Sequence, residues 1–206
     1  MAKYDYDMIC IGSGPAGQRA AVQGAKLGKR VAIVEQEQLV GGVCLHTGTI
    51  PSKTFREAVL TFGKGGRRAS DMRRRSSDMK GANRDAVTAS QLFERVGSIV
   101  KREEKVQDSQ LGRNNVDVIV GTASFKGPHE LNIASTAGQR TASAANIMIA
   151  VGTTPATPAE TKLDGKQIQT SDEIFALKEI VNYEFIIASN VPASINPTNS
   201  PTHTPA

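Results

Sequence analysis

The feature that most limits what this chain can become is the run Gly12-Ser13-Gly14-Pro15-Ala16-Gly17, together with what flanks it. Before it, Tyr4 to Ile11 is a short strand-forming stretch rich in apolar and aromatic residues. After it, Pro15 to Leu27 mixes small or apolar Ala16, Ala20, Val22, Ala25 and Leu27 with polar Gln18, Arg19, Gln23 and Lys26, the pattern of a helix. Proline suits the first turn of a helix, where its missing N–H is no loss, and Gly28 suits the C-terminal cap. A second strand, Val31 to Val34, follows and ends in Glu35. Strand, glycine turn, helix and strand within about thirty residues make a βαβ unit, which requires a parallel sheet.

In that setting the three glycines read as a dinucleotide-binding fingerprint. Gly12 permits the tight turn, Gly14 lets backbone approach a pyrophosphate, and Gly17 lets helix and strand pack closely. The pyrophosphate would sit on the helix N-terminus, where unsatisfied N–H groups and the helix dipole favour negative charge. Ser13, Pro15 and Ala16 complete this phosphate-binding turn. Glu35, 18 residues after Gly17, is placed to accept hydrogen bonds from ribose hydroxyls, with Gln36 beside it in the same cofactor-binding set.

The loop from Gln36 to Thr49 holds Gly41-Gly42-Val43-Cys44-Leu45-His46-Thr47-Gly48-Thr49 and leads into Ile50-Pro51-Ser52-Lys53, where a second helix starts and runs to about Phe62. Leu92, Phe93, Val96, Ile99 and Val100 mark one apolar face of a third helix. Val116 to Val120, His129 to Ile133 and Asn146 to Val151 read as strands, and Asp172 to Lys178 as a short helix capped by Ser171. The stretch from Gly41 to Lys53 resembles that of the class I pyridine nucleotide–disulfide oxidoreductases, flavoproteins in which it reads GGxCxxxGCIPSK. Their two cysteines form a redox disulfide beside the flavin. The resemblance runs from about Tyr4 to Lys178 and includes Gly121-x-Ala123 and Ala150-Val151-Gly152-Thr153, which matches the family's ATG-like strand end except that Val151 lacks the usual hydroxyl. It implies an α/β fold: a Rossmann-like, three-layer domain binding FAD, with a parallel central sheet and NAD(P)H as substrate. Gly41, Gly42, Cys44, Gly48, Thr49, Lys53, Gly121, Ala123, Ala150 and Gly152 thereby join the fingerprint residues as cofactor-binding positions.

One departure decides the chemistry. Cys44 is present, but Thr49 stands where the second cysteine belongs, and a hydroxyl forms no disulfide. Dithiol exchange is therefore ruled out at this site, and hydride transfer through flavin alone is left. Cys-x-His-x-Gly-Thr-Ile-Pro-Ser-Lys resembles the subfamily of soluble, si-specific NAD(P)+ transhydrogenases, which implies hydride passing from NADPH through FAD to NAD+. The resemblance gives Lys53 a catalytic role as a cation beside the reduced flavin. Cys44 is the other catalytic candidate, with plain packing beside the flavin as the alternative. His46 either tunes the flavin or belongs only to the loop. Cys10, in the first strand, reads as a small core hydrophobe. Two other functions stay open: another FAD-dependent oxidoreductase of the dihydrolipoamide dehydrogenase-like group, and an FAD-binding module that does no catalysis.

Charge adds a rival. The chain carries a net +5, but eight basic and two acidic residues lie between Lys64 and Arg84, so the other 185 residues sum to −1. This insert, read as an exposed loop over 63–85, has no aromatic residues to stack on bases, and nucleic acid is not an expected partner. Two cysteines in 206 residues point to a reducing cytoplasm, and no apolar run suits a signal peptide or a membrane span. The FAD-binding domain is expected at 1–180, and the Pro-, Asn- and Thr-rich stretch 181–206 as a disordered or aberrant tail. Family members continue into a second GxGxxG unit and a dimerisation domain. Here Phe185-Ile-Ile-Ala188 begins a strand, but Asn190-Val191-Pro192 follows in place of glycines. The expectation is an incomplete enzyme, without the family's normal homodimer and without transfer activity of its own.

Overall fold

Successive side chains of a strand point to opposite faces, and in β1 (Tyr6–Ile11) and β2 (Val31–Glu35) both faces are buried. Ile9, Ala32 and Val34 belong to one core, whereas Cys10, Val31 and Ile33 belong to another. Burial on both sides is what a parallel strand with covered faces requires. At roughly 1.5–3 kcal/mol for each buried Val or Ile, this pair of strands anchors the molecule. The computed structural model describes residues 3–73, 89–157, 162–165, 168–173, 185–187 and 190–192.

The helix-side core is closed by Ala21 and Val22 of α1 (Pro15–Lys26), and by Leu111 at the end of α4 (Ala89–Arg113). Between them in sequence lie the short α2 (Gly42–His46) and the long α3 (Thr49–Arg73). α3 packs along α4, with Phe55 stacked on Phe93 at 5.7 Å between ring centroids. The opposite core is closed by Leu131 and Ile133 of β5 (Glu130–Ser135) and by Ala142 and Ala144 of β6 (Gly138–Ile149). With β3 (Asp117–Val120) and β4 (Thr122–Gly127), the strands make one six-stranded sheet in the order β3-β2-β1-β6-β5-β4. β3, β2, β1 and the second half of β6 run parallel, whereas β4, β5 and the first half of β6 form an antiparallel meander. Helices, parallel sheet and meander are the three layers expected for a Rossmann-like α/β domain.

Several boundaries differ from the sequence reading. The central sheet is not wholly parallel: β4 and the first half of β6 form strands where none was expected. Gly138 to Thr141 is exposed and polar, so no apolar alternation marks it. The loop before Thr49 contains α2, a single turn too short to show periodicity. α3 continues past Phe62 to Arg73, through a run whose Gly63, Gly65 and Gly66 are poor helix formers and read as a break from sequence. The start of the basic insert is thus helix and not loop; residues 74–88, with the rest of it, lie outside the described residues. Within the expected tail, β9 (Phe185–Ile187) pairs with β8 (Ile168–Thr170), and β10 (Asn190–Pro192) pairs with β7 (Thr153–Pro155). The strand at Phe185–Ile187 is the one expected there; at Asn190–Pro192 the ladder needs only backbone, which composition does not reveal. The other residues of 181–206, and the expected helix beyond Glu173, lie outside the described residues. Among the described residues no helix is long and apolar enough to cross a membrane.

Candidate cofactor site

The carboxyl ends of the parallel strands meet at one edge of the sheet. Gly12 N–H donates to Val34 O, Ala150 N–H to Ile11 O, and Gly121 N–H to Glu35 O, each at 2.8 Å. The loops leaving β1, β2, β3 and β6 therefore gather at one place, where open α/β sheets bind their ligands. They wall a cleft of about 1020 Å³.

Gly12 has φ +102°, and a Cβ there would lie 2.3 Å from Ala150 O, so no side chain fits. A Cβ on Gly17 would lie 2.0 Å from Gly12 O. These two glycines join helix to sheet. Gly14 differs: nothing lies within 4 Å of its Cβ position, and it lines the cleft. As the N-cap of α1 it supplies no side chain, and the first turn contains no acidic residue. The helix start is therefore bare, open and complementary to an anion. Pro15 lines the cleft beside it, while exposed Ala16 and buried Gly17 do not.

Ser13 ties three loops together. It is fully buried; its N–H and Oγ–H donate to Glu35 Oε2 at 2.8 and 2.5 Å, and its Oγ accepts from Gly41 N–H at 3.0 Å. Glu35 Oε1 accepts from Glu37 N–H at 3.2 Å. A carboxylate oxygen accepts about two hydrogen bonds, so Oε1 keeps acceptor capacity for a ribose hydroxyl. Gln36 lines the cleft next to it, as does Gly42, whose Cβ position is 3.0 Å from Gly14 Cα. Gly41, beneath, packs on Leu45 and does not line the cleft.

The Cys44 loop is held from behind by α4. His46 Nε2 is 3.2 Å from Val40 O, and its Nδ1 is 3.4 Å from Glu104 Oε1. Gln18 Nε2 donates to Ser13 O at 2.7 Å and to Gln107 Oε1 at 2.5 Å. Glu104, Gln107 and Gln18 were not singled out in the sequence, because polar residues on a helix look alike whether they face solvent or a loop. Thr47 was passed over too, and its buried Oγ1 has no hydrogen-bond partner among the described residues.

Half-buried Cys44, Gly48 and Thr49 all line the cleft. Cys10 is fully buried in the helix-side core, and burial pushes its thiol up to about 11. The cleft wall thus carries one thiol and no cysteine to pair with it. Lys53 lies one turn after Thr49 on α3, yet its side chain is exposed and does not line the cleft. Gly121, Ala123, Ala150 and Gly152 line the opposite wall, with Val151 and Thr153 from the same strand end. Among the described residues no group of His, Cys, Asp and Glu could hold a metal ion.

A bare helix N-terminus, a cradle left open by Gly14 and Gly42, and a buried carboxylate at the next strand end fit a dinucleotide such as FAD. Known proteins agree with that chemistry. The sequence profile described as pyridine nucleotide-disulphide oxidoreductase matches residues 6–196. The soluble pyridine nucleotide transhydrogenase of Mycobacterium tuberculosis (strain ATCC 25177 / H37Ra) is 40% identical in an alignment covering 91% of this chain and 39% of that protein. Its counterpart from Colwellia psychrerythraea is 32% identical, with the same two shares. The Cu(II) complex of the HOCl-induced flavoprotein disulfide reductase RclA from Escherichia coli superposes with a TM-score of 0.69 at 26% identity, covering 87% of this chain and 35% of that one. The chain spans about two fifths of the length of the curated relatives it matches.

Proposed function

Because the chain belongs to the pyridine nucleotide–disulphide oxidoreductase family, we propose that residues 1–180 form an FAD-binding domain of the soluble, si-specific transhydrogenase type. The longer relatives' activity would then be hydride transfer from NADPH to NAD+. The observation that carries this reading is the single thiol in the cleft, Cys44, with Thr49 lining the same cleft at the position where the disulfide enzymes have their second cysteine. When bound, FAD supplies the two-electron chemistry. The chain's own residues bind and orient: the α1 N-terminus receives the pyrophosphate, Glu35 the ribose, and Cys44 and Thr49 pack at the other end of the cleft without exchanging thiols. Cytoplasmic residence goes with two free cysteines. Pyridine nucleotides are the partners, and neither a membrane nor nucleic acid is required.

The test is a titration of the purified chain with FAD, followed by NADPH and a thionicotinamide analogue of NAD+. The expected outcome is weak, saturable FAD binding that is lost on gel filtration, with no transfer and no reduction of disulfide substrates. A chain that takes up no flavin at any concentration sinks the reading. Robust transfer by this chain alone sinks the assignment of catalysis to the longer form.

A further inference from the structure

We infer that Glu104 and Gln107 of α4 are positioning residues, which set the geometry of the cofactor cleft without touching a cofactor. The inference rests on the FAD-binding reading and adds to it the element that holds the two cleft loops in register. Neither residue lines the cleft. Being three apart on a helix, they share a face. Each reaches a different loop, one through His46 and the other through Gln18.

The Gln107 contact acts on the phosphate turn. An amide nitrogen has two hydrogens, and Gln18 spends them on Gln107 Oε1 and Ser13 O. The Ser13 carbonyl and the Gly14 N–H belong to one planar trans peptide and point in opposite directions. Anchoring the carbonyl on the Gln18 side therefore aims the Gly14 N–H the other way, and Gly14 lines the cleft. The Glu104 contact acts on the second loop. His46 is the last residue of α2, and its ring lies between two acceptors, Val40 O and Glu104 Oε1, to both of which the protonated imidazole donates. α2 also carries Cys44, so this grip fixes where the thiol sits. α4 itself is rigidly seated, with Leu92, Val96 and Leu111 buried along it. One helix thus sets the spacing between the phosphate turn and the Cys44 helix.

The full 206-residue chain serves for the test, with FAD affinity from quenching of flavin fluorescence, visible circular dichroism of the bound flavin, and thermal unfolding of the flavin-free protein. Glu104→Leu and Gln107→Leu should each weaken FAD binding by roughly five- to tenfold and alter the dichroism of the bound flavin. Glu104→Gln keeps an acceptor for His46 and should bind within about twofold of the unaltered chain. Gln18→Met removes the Gln107 bond from the other side and supplies the same information should Gln107→Leu fail to fold. Phe93→Leu weakens α4 at its far end by loosening the Phe55 stack; it should lower the melting temperature and leave FAD affinity unchanged. The inference is overturned if the Glu104 and Gln107 variants bind as the unaltered chain does. It is equally overturned if Phe93→Leu weakens binding as much for the same loss of melting temperature, which would mark a merely structural role. If the unaltered chain binds no FAD, the functional reading fails first and this inference with it.

Discussion

The glycine turn at Gly12–Gly17 and the loop carrying Cys44 face each other across one cleft, but they are held in place by different forces. The turn is built by backbone contact at its glycines, and Glu35 and Gln18 only trim its aim. Positions 12 and 17 lie so near Ala150 O and Gly12 O that only hydrogen fits. The loop is held by polar side chains lent by other elements: Ser13 Oγ on Gly41 N–H, and Glu104 on His46. Steric fixation tolerates no substitution and changes little with conditions. Polar fixation can be dismantled one bond at a time, each net contribution being about 1 kcal/mol. The glycine turn is therefore the stiffer half, adjustable only through its tie to Gln18 and Gln107, and the half that carries the thiol is adjustable throughout.

The sharpest way to break this contrast is Gly17→Val. Its Cβ would fall 2.0 Å from Gly12 O, a backbone atom that cannot step aside. A loss of about 3 kcal/mol or more, or failure to fold, is expected in urea titration. A melting curve like that of the unaltered chain would show that helix and turn can separate, and the steric account of the turn would fall.

The same contrast explains what could be read from sequence. Glycines forced by close approach recur at fixed spacing, so Gly12, Gly14, Gly17 and the βαβ unit around them stood out, as did Glu35 at the next strand end. The apolar faces of β2 and α4 were legible for the same reason: burial leaves a period. The meander was half lost because Gly138 to Thr141 is exposed and polar, and its buried members, Ala142 and Ala144, are too small to signal a strand. α3 beyond Phe62 was lost because Gly63, Gly65 and Gly66 read as helix breakers and the run has no apolar period. Ser13, Glu35 and Gly41 were each read as site residues, but their bonds to one another, and the parts played by Gln18, Glu104 and Gln107, left no trace. Their meaning lies in a partner distant in the chain. Lys53 shows the converse: its motif was plain, but its side chain lies outside the cleft.

The two cysteines sharpen the comparison next. Cys10 belongs to the rigid side, two residues before Gly12, and burial raises its thiol from an ordinary value of 9.0 to about 11. A folded-state value above the unfolded one means that stability is complete below about pH 9 and declines as pH rises toward 11. Two units correspond to roughly 2–3 kcal/mol at most. Urea midpoints measured from pH 7 to 11 should show this decline, and Cys10→Val should flatten it. Under native conditions a thiol reagent should label Cys44 and reach Cys10 only on unfolding. Equal labelling rates would mean that the first strand opens as readily as the loop.

A smaller effect is expected at the node between the two regions. Ser13→Ala removes the hydroxyl that Gly41 N–H donates to and that donates to Glu35 Oε2, while leaving the Ser13 N–H bond to Glu35 intact. Losing these two bonds should cost about 1–2 kcal/mol in urea unfolding, with faster amide exchange at Gly41 and little change in the sheet. No change at Gly41 would mean that the loop is seated by α4 alone.

Gly14→Ala should have the smallest effect on stability and yet the most selective one on function. Gly14 has φ −65° and ψ 178°, a conformation open to any L-residue, and nothing within 4 Å would meet the new methyl. Alanine also narrows the unfolded ensemble, so stability should stay level or rise by about 0.5 kcal/mol. The methyl would nevertheless stand at the open start of α1, where backbone must approach a phosphate closely. FAD affinity should fall by more than about tenfold, equivalent to at least 1.4 kcal/mol of lost binding, while the melting temperature holds. Gly17 and Gly14 would then separate cleanly, one needed to build the turn and the other to leave it uncovered. If Gly14→Ala binds FAD as the unaltered chain does, the phosphates do not lie on the α1 N-terminus, and the rigid half of the cleft would be scaffold with no ligand of its own.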